Sequence, residues 1–245
     1  MANRKERLDR LLVEKGMAQS RERARTRIIA GEVLVNLLPV DKPGTQVPVG
    51  AHITLKGTDI PYVSRGGLKL EAALQALSLD IHGFECLDIG ASTGGFTDCL
   101  LQHGARRVFS VDVGYGQLAW KLRQDPRVEV LERTNIRHLP AEAIATRVEL
   151  VTIDVSFISL KIVVPAVRKF MKERAGILAL IKPQFEVGRG QLGKGGVVRN
   201  KDQHEAVIRD LSLFFQEAGF VPGQVIPSPV LGPKGNREFI IYLGS

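Results

Sequence analysis

Apolar positions recur along this chain in two rhythms, and the change of rhythm divides it. Leu8, Leu11 and Leu12 fall on one helical face, and Gly16 follows as a C-terminal cap. Ser20 is placed to cap a second helix, whose Ala24 and Ile28 face inward until Gly31 ends it. Val33-Leu34-Val35 and His52-Ile53-Thr54-Leu55 then predict short strands on either side of the turn formers Lys42-Pro43-Gly44. From Val63 onward, short apolar runs alternate with helical patterns. The runs predict strands at Glu85–Ile89, Val108–Asp112, Val128–Leu131, Leu150–Val155, Ile177–Lys182, Gln224–Ser228 and Phe239–Leu243. The plainest helix among them is Lys201–Glu217. Such alternation implies an α/β fold, a mostly parallel seven-stranded sheet with helices on both faces. The last two strands are close enough to pair antiparallel. The expected organisation is a small α+β domain over residues 1–56, a linker at 57–62 and the α/β domain over 63–245.

Composition narrows the partners. The 245 residues carry a formal net charge of +8, which points to a polyanion, although charge alone does not separate RNA, DNA and anionic lipid. No apolar run approaches the ~18 residues of a membrane span, and the basic N-terminus lacks the apolar core of a secretory signal. Cys86 and Cys99 form no C-x-x-C pair; they are expected as free, buried thiols of a cytoplasmic protein.

The chemistry begins at Cys86-Leu87-Asp88-Ile89-Gly90-Ala91-Ser92-Thr93-Gly94-Gly95-Phe96-Thr97, where an apolar run ends in a glycine turn that opens a helix. An α/β sheet presents a nucleotide-like cofactor at such a place, and glycines let the backbone approach it. The dinucleotide fingerprint needs G-x-G-x-x-G, whereas Gly90 is followed by Gly94 and Gly95. The order D-x-G-x-x-x-G-G resembles the first motif of S-adenosylmethionine-dependent methyltransferases. That resemblance implies S-adenosyl-L-methionine as cofactor and a Rossmann-like domain, with Asp88, Gly90, Ala91, Ser92, Gly94, Gly95 and Phe96 around it. At the end of the next strand, Asp112, followed by Val113, is placed to accept from ribose hydroxyls. Asn135, after the third strand, is a candidate for the adenine.

The helices of the first domain are basic. In the second, Arg21 and Arg25, with Arg23 and Arg27 at the other edge, lie opposite the apolar stripe. This arrangement suits a phosphate backbone, and equally a solvated face. The run Arg7-Leu8-Asp9-x-Leu11-Leu12, Gly16, Ser20-Arg21-x-x-Ala24, Ile28-x-x-Gly31-x-Val33-x-Val35-Asn36 resembles the RNA-binding domain named after a primary-assembly protein of the small ribosomal subunit. The resemblance implies RNA contacts through Arg4, Arg7, Arg21 and Arg25. Leu37 departs from it, since many members carry glycine after the asparagine, and this puts the turn type in question.

Four charged residues complete the picture. Asp154, in Asp154-Val155-Ser156-Phe157, ends the fourth strand, and Lys182 ends the fifth beside it. Methyltransferases of exocyclic amines often carry D/N-P-P-Y/F at the first of these places; here the acid and aromatic are present and both prolines are missing. Lys69 follows Gly66-Gly67 at a helix start, and Glu238 precedes the last strand. In order and position they are similar to the K-D-K-E tetrad of FtsJ-like ribose 2′-O-methyltransferases. With the basic domain in front, the chain resembles the TlyA family along essentially its whole length. Val63-Ser64-Arg65-Gly66-Gly67-Leu68-Lys69-Leu70, Val113-Gly114-Tyr115-Gly116-Gln117-Leu118 and Lys182-Pro183-Gln184-Phe185-Glu186-Val187-Gly188 are among the stretches that carry this likeness. The resemblance implies methyl transfer to cytidine 2′-hydroxyls of ribosomal RNA in ribosomal subunits, with Lys182 as base and Arg65 as a further RNA contact; members are also often labelled haemolysins. A ribose hydroxyl is a very weak acid, so a positioned base helps. No metal ligand set is present and none is required. Gly188 to Gly195 nearly spells a phosphate-binding loop but has Gly195 where Ser or Thr must stand, and is expected instead as a mobile basic loop. Two other readings stay open: an RNA-binding assembly factor without catalysis, and a membrane-lytic protein, for which no spanning or strongly amphipathic segment is found.

Overall fold

Three clusters of buried apolar side chains account for the architecture of a computed structural model that describes residues 4–55, 60–188, 192–193 and 195–245. One cluster lies in the unit Met1–Ile60, and two lie on opposite faces of a sheet in the unit Pro61–Ser245.

The first unit contains β1 (Lys5–Arg7), α1 (Leu8–Glu14), α2 (Arg21–Ile29), β2 (Val33–Val35), β3 (Leu38–Pro39), β4 (Gln46–Pro48) and β5 (Ile53–Leu55). Leu8, Leu11 and Leu12 bury against Ala24 and Ile28, as the helical spacing predicts. The Ser20 hydroxyl accepts from the Arg23 N–H at 3.1 Å and caps α2. β2 lies antiparallel between β3 and β5, and β1 pairs with β4. The turn between β2 and β3 puts both Asn36 and Leu37 at positive φ, 50° and 68°. This is the tight hairpin geometry that glycine adopts freely, so Leu37 keeps the turn at a cost in strain. β1, β3 and β4 were not expected. They are two or three residues long, and β1 is entirely charged, so no apolar alternation announces them.

The second unit runs α3 (Gly66–Ala76), β6 (Glu85–Ile89), α4 (Gly95–Gln102), β7 (Arg107–Val111), α5 (Trp120–Arg123), β8 (Val128–Leu131), β9 (Val148–Ile153), α6 (Leu160–Val167), β10 (Met171–Ile181), α7 (Pro183–Glu186), α8 (Lys201–Glu217), β11 (Val221–Pro227) and β12 (Phe239–Gly244). The strands form one seven-stranded sheet in the order β11-β12-β10-β9-β6-β7-β8. β12 runs antiparallel to both its neighbours, while β10, β9, β6, β7 and β8 are mutually parallel. Alternate residues feed opposite faces: Ile177, Ala179 and Ile181 enter one core, Leu178 and Leu180 the other. β10 begins six residues earlier than expected. Its first half carries the exposed run Lys172-Glu173-Arg174 and meets β9 only at Met171 before a bulge, so the sequence hides it. Cys86 and Cys99 are free and buried. The linker residues 57–59, and Arg189, Gly190, Gln191 and Lys194 of the glycine-rich stretch, lie outside the described residues.

Candidate active site

Parallel strands deliver their C-terminal ends to one edge of the sheet, and the loops after β6, β7, β8, β9 and β10 gather there. Two cavities open at this edge, of about 500 Å³ and about 240 Å³, with Gly90, Ser92 and Asp154 on the walls of both.

The larger cavity has Asp112, Val113 and Asn135 on its wall, against apolar Ile89, Val111, Ile136 and Ile158. Its size and mixed lining suit a nucleoside. The Asp112 carboxylate accepts from the N–H groups of Ser92 and Gly114, each at 2.7 Å, which draws the glycine loop toward the end of β7. The Asn135 side-chain oxygen is occupied by the Arg137 N–H at 3.1 Å. Gly90 needs its lack of a side chain: it has φ +80°, and a Cβ there would stand 2.5 Å from the Asp154 carbonyl oxygen.

Of the glycine-loop residues, Asp88 and Gly94 line neither cavity, and Gly95 both lines the smaller one and packs closely behind it. Asp88 is fully buried and lines neither cavity. It accepts from Thr97 Oγ1 at 2.6 Å and Thr152 Oγ1 at 2.9 Å, bracing the loop from behind. Burial pushes its carboxyl up to about 6, against the threonine hydrogen bonds that oppose the rise. Gly94, at φ +94°, presses against α5; a Cβ there would collide with Leu122 and stand 2.8 Å from Leu118. Gly95 starts α4 so close to α3 that a Cβ would strike the Ser64 hydroxyl. Ala91, Gly95 and Phe96 line the smaller cavity.

The four charged residues form two ion pairs. Lys69 Nζ lies 2.6 Å from Glu238 Oε2, and Lys182 Nζ lies 2.6 Å from Asp154 Oδ1. The register explains the gathering: Phe239 at the start of β12 pairs with Ile181 at the end of β10, so Glu238 and Lys182 share the edge. Glu238 is 2% exposed, and its Oε1 has no hydrogen-bond partner among the described residues. Lys69 and Asp154 border the smaller cavity, together with Ser64, Arg65 and the loop Val230–Pro233. Ser156 was passed over in the sequence; it accepts from Lys182 Nζ at 3.0 Å. Its one signal was negative, a serine where amine methyltransferases place proline. Phe157 beside it has φ +65° and is 90% exposed.

In the first unit, Arg4 and Arg25 are exposed. Half-buried Arg7 and exposed Arg21 both reach the fully buried Asp9, at 2.9 and 3.0 Å. The Arg7 hydrogen bond, with help from Arg21, holds the Asp9 carboxyl at about 2. Arg27, expected on the basic face, is 3% exposed and paired with Glu32 at 3.3 Å.

The family model described as FtsJ-like methyltransferase matches residues 62–245, and that of the S4 domain matches residues 6–53. A provisionally named rRNA methyltransferase of Bacillus subtilis is 48% identical over 244 residues, 99% of this chain and 87% of the relative. The 16S/23S rRNA (cytidine-2′-O)-methyltransferase TlyA of Mycobacterium tuberculosis is 48% identical over 241 residues, 98% of this chain and 90% of the relative. A solved structure from Streptococcus thermophilus, provisionally named a hemolysin, superposes with a TM-score of 0.78 at 44% identity, covering 100% of this chain and 90% of that one. Among the described residues, no helix is long and apolar enough to cross a membrane.

Proposed function

The chain belongs to the FtsJ-like methyltransferase family, with an S4 domain ahead of the catalytic one, and on that premise we propose that it 2′-O-methylates cytidines of ribosomal RNA in ribosomal subunits, with S-adenosyl-L-methionine as methyl donor and Lys182 as general base. The residues present fit the cofactor. The larger cavity offers apolar walls for a purine, the Asp112 carboxylate for ribose hydroxyls and the amide of Asn135 for the base. Gly90, Ala91 and Ser92 carry the backbone past Asp154 toward the smaller cavity, where Lys69 stands. Bound there, the cofactor supplies an electrophilic methyl group and no base.

The chain itself must therefore remove the hydroxyl proton. One observation supports Lys182 for this: the residue is 8% exposed and its amine is held by Asp154, an acid on the walls of both cavities. Lys69 and Glu238, paired beside it, fix a second charge at the same edge. Residues 1–56 and Arg65 grip RNA phosphates, residues 63–245 carry the reaction, and the activity belongs to the cytoplasm, where ribosomal subunits are found.

Lys182→Ala tests the reading. Single-turnover methylation of ribosomal subunits from a deletion strain should fall by about 10²–10⁴-fold, with cofactor and RNA affinities unchanged. Lys182→Arg should not restore it, since a guanidinium stays protonated. A near-wild-type rate for Lys182→Ala would remove the base and, with it, the case for a ribose hydroxyl as acceptor.

A further inference from the structure

We propose that Ser156 is a positioning residue that acts through Lys182, fixing the direction in which the amine presents itself to the ribose hydroxyl. The inference rests on Lys182 being the base. Asp154 Oδ1 lies 2.6 Å from Lys182 Nζ but makes no well-aligned hydrogen bond among the described residues, so its hold is mainly Coulombic and weakly directional. Among the described residues, the directed hydrogen bond from Lys182 Nζ goes to Ser156 Oγ, at 3.0 Å. A charge alone keeps the amine nearby; a directed bond decides where its remaining substituents point.

The surroundings make Ser156 a fixed point although it is exposed. Two further bridges join the turn after β9 to the segment after Lys182. The rings of Phe157 and Phe185 lie 4.9 Å apart. Glu186 accepts from the Ser159 hydroxyl at 2.6 Å and from the Leu160 N–H at 2.9 Å, capping α6 from α7. Phe157 holds φ +65°, a conformation costly for a bulky side chain. The turn is thus clamped immediately after Ser156, with strain at its neighbour. A proline at this position would leave the amine without an acceptor. That substitution suits exocyclic amines, which need little basic help, and would not suit a hydroxyl.

In the proposed step the amine, an ammonium while paired with Asp154 and neutral once it has given a proton to water, takes the 2′-hydroxyl proton while the oxygen's electron pair forms the new bond to carbon. The electron pair of the broken carbon–sulfur bond stays on sulfur, and the ammonium later returns its proton to water. Neither Ser156 nor Asp154 gains or loses a proton, so Ser156 contributes geometry alone. Misplacement by an ångström costs on the order of 10²-fold.

The test uses the full chain and 30S and 50S subunits from a deletion strain, with Ser156→Ala, Ser156→Thr, Lys182→Ala and the Ser156→Ala/Lys182→Ala double variant. Single-turnover rates are read at saturating cofactor, beside KM for subunits and calorimetric affinity for S-adenosylhomocysteine. Ser156→Ala should lower the rate by roughly 10–10²-fold with KM and cofactor affinity unchanged. Ser156→Thr, which keeps the hydroxyl, should recover most of the loss. The double variant should be no slower than Lys182→Ala alone, because the serine has nothing left to position. A wild-type rate for Ser156→Ala, a loss carried by KM or cofactor affinity, or additive losses in the double variant would each overturn the proposal. Were Lys182→Ala itself active, the base assignment would fall and this inference with it. An inactive Lys182→Ala beside a fully active Ser156→Ala would sink the serine alone.

Discussion

Asp88→Asn should make the protein more stable at alkaline pH and less stable in acid. Asp88 is fully buried, and burial raises its carboxyl from 3.8 to about 6. The folded chain therefore keeps this proton at pH values where the unfolded chain has lost it. Stability from this group is full below about pH 3.8 and is lost as pH rises through about 6. Ionising the buried carboxyl costs about 3 kcal/mol at pH 8 but only about 0.5 kcal/mol at pH 4. Asparagine removes that charge. Its side-chain oxygen can keep one threonine hydroxyl, while the other of Thr97 and Thr152 must rotate to accept from the amide, a rearrangement worth about 1 kcal/mol. The balance is a gain of about 2 kcal/mol at pH 8 and a loss of about 0.5 kcal/mol at pH 4. Urea unfolding of both proteins at the two pH values measures the difference directly, and contributions from the first unit cancel. Parallel stability profiles for variant and wild type would mean that no buried charge sits behind the glycine loop.

Two further outcomes follow from where the structure puts particular side chains. Gly94→Val should lower stability by about 3 kcal/mol, because a branched side chain at φ +94° collides with Leu118 and Leu122, and cofactor binding should fail as a consequence; a normal urea midpoint would refute the packing argument. Arg25→Ala and Arg21→Ala should differ: the first reduces the salt slope of RNA binding by about 0.7–0.9 at unchanged stability, while the second also destabilises, since Asp9 keeps only Arg7. Thermal melts that treat the two variants alike would contradict the Asp9 contacts.

Strands such as β6 and β8 could be read to the residue because an apolar run and its flanking turns coincide with their ends. The same logic exposed Asp154 and Lys182, charges that interrupt apolar runs at the one sheet edge where a ligand can lie. It failed where neighbours in space decide. Nothing in a glycine's spacing says whether its missing Cβ makes room for backbone, as at Gly90 beside Asp154, or for leucine side chains, as at Gly94, so the two look alike in sequence. An acid at a strand end can face the cavity, as Asp112 does, or lie behind it, as Asp88 does; burial by α4 and the threonines separates them. The tetrad's order along the chain was visible, but not its division into Lys69–Glu238 and Lys182–Asp154. Ser156 was missed because its partner is 26 positions away and no apolar pattern marks a hydroxyl.

β12 is the strand that runs against its neighbours, and this reversal has a consequence in time as well as space. A parallel strand reaches the reactive edge with its last residue; β12 starts there, which is how Glu238 comes to stand beside groups at the ends of β9 and β10. Lys69 thus waits for a partner 169 residues further along the chain. During synthesis, the glycine loop, Asp154 and Lys182 are all made before Glu238, and a chain clipped before β12 would carry them with Lys69 left uncompensated in an unfinished sheet. The order of elements makes the edge whole only when β12 has slid between β10 and β11, so the site assembles after every strand it draws on has been made.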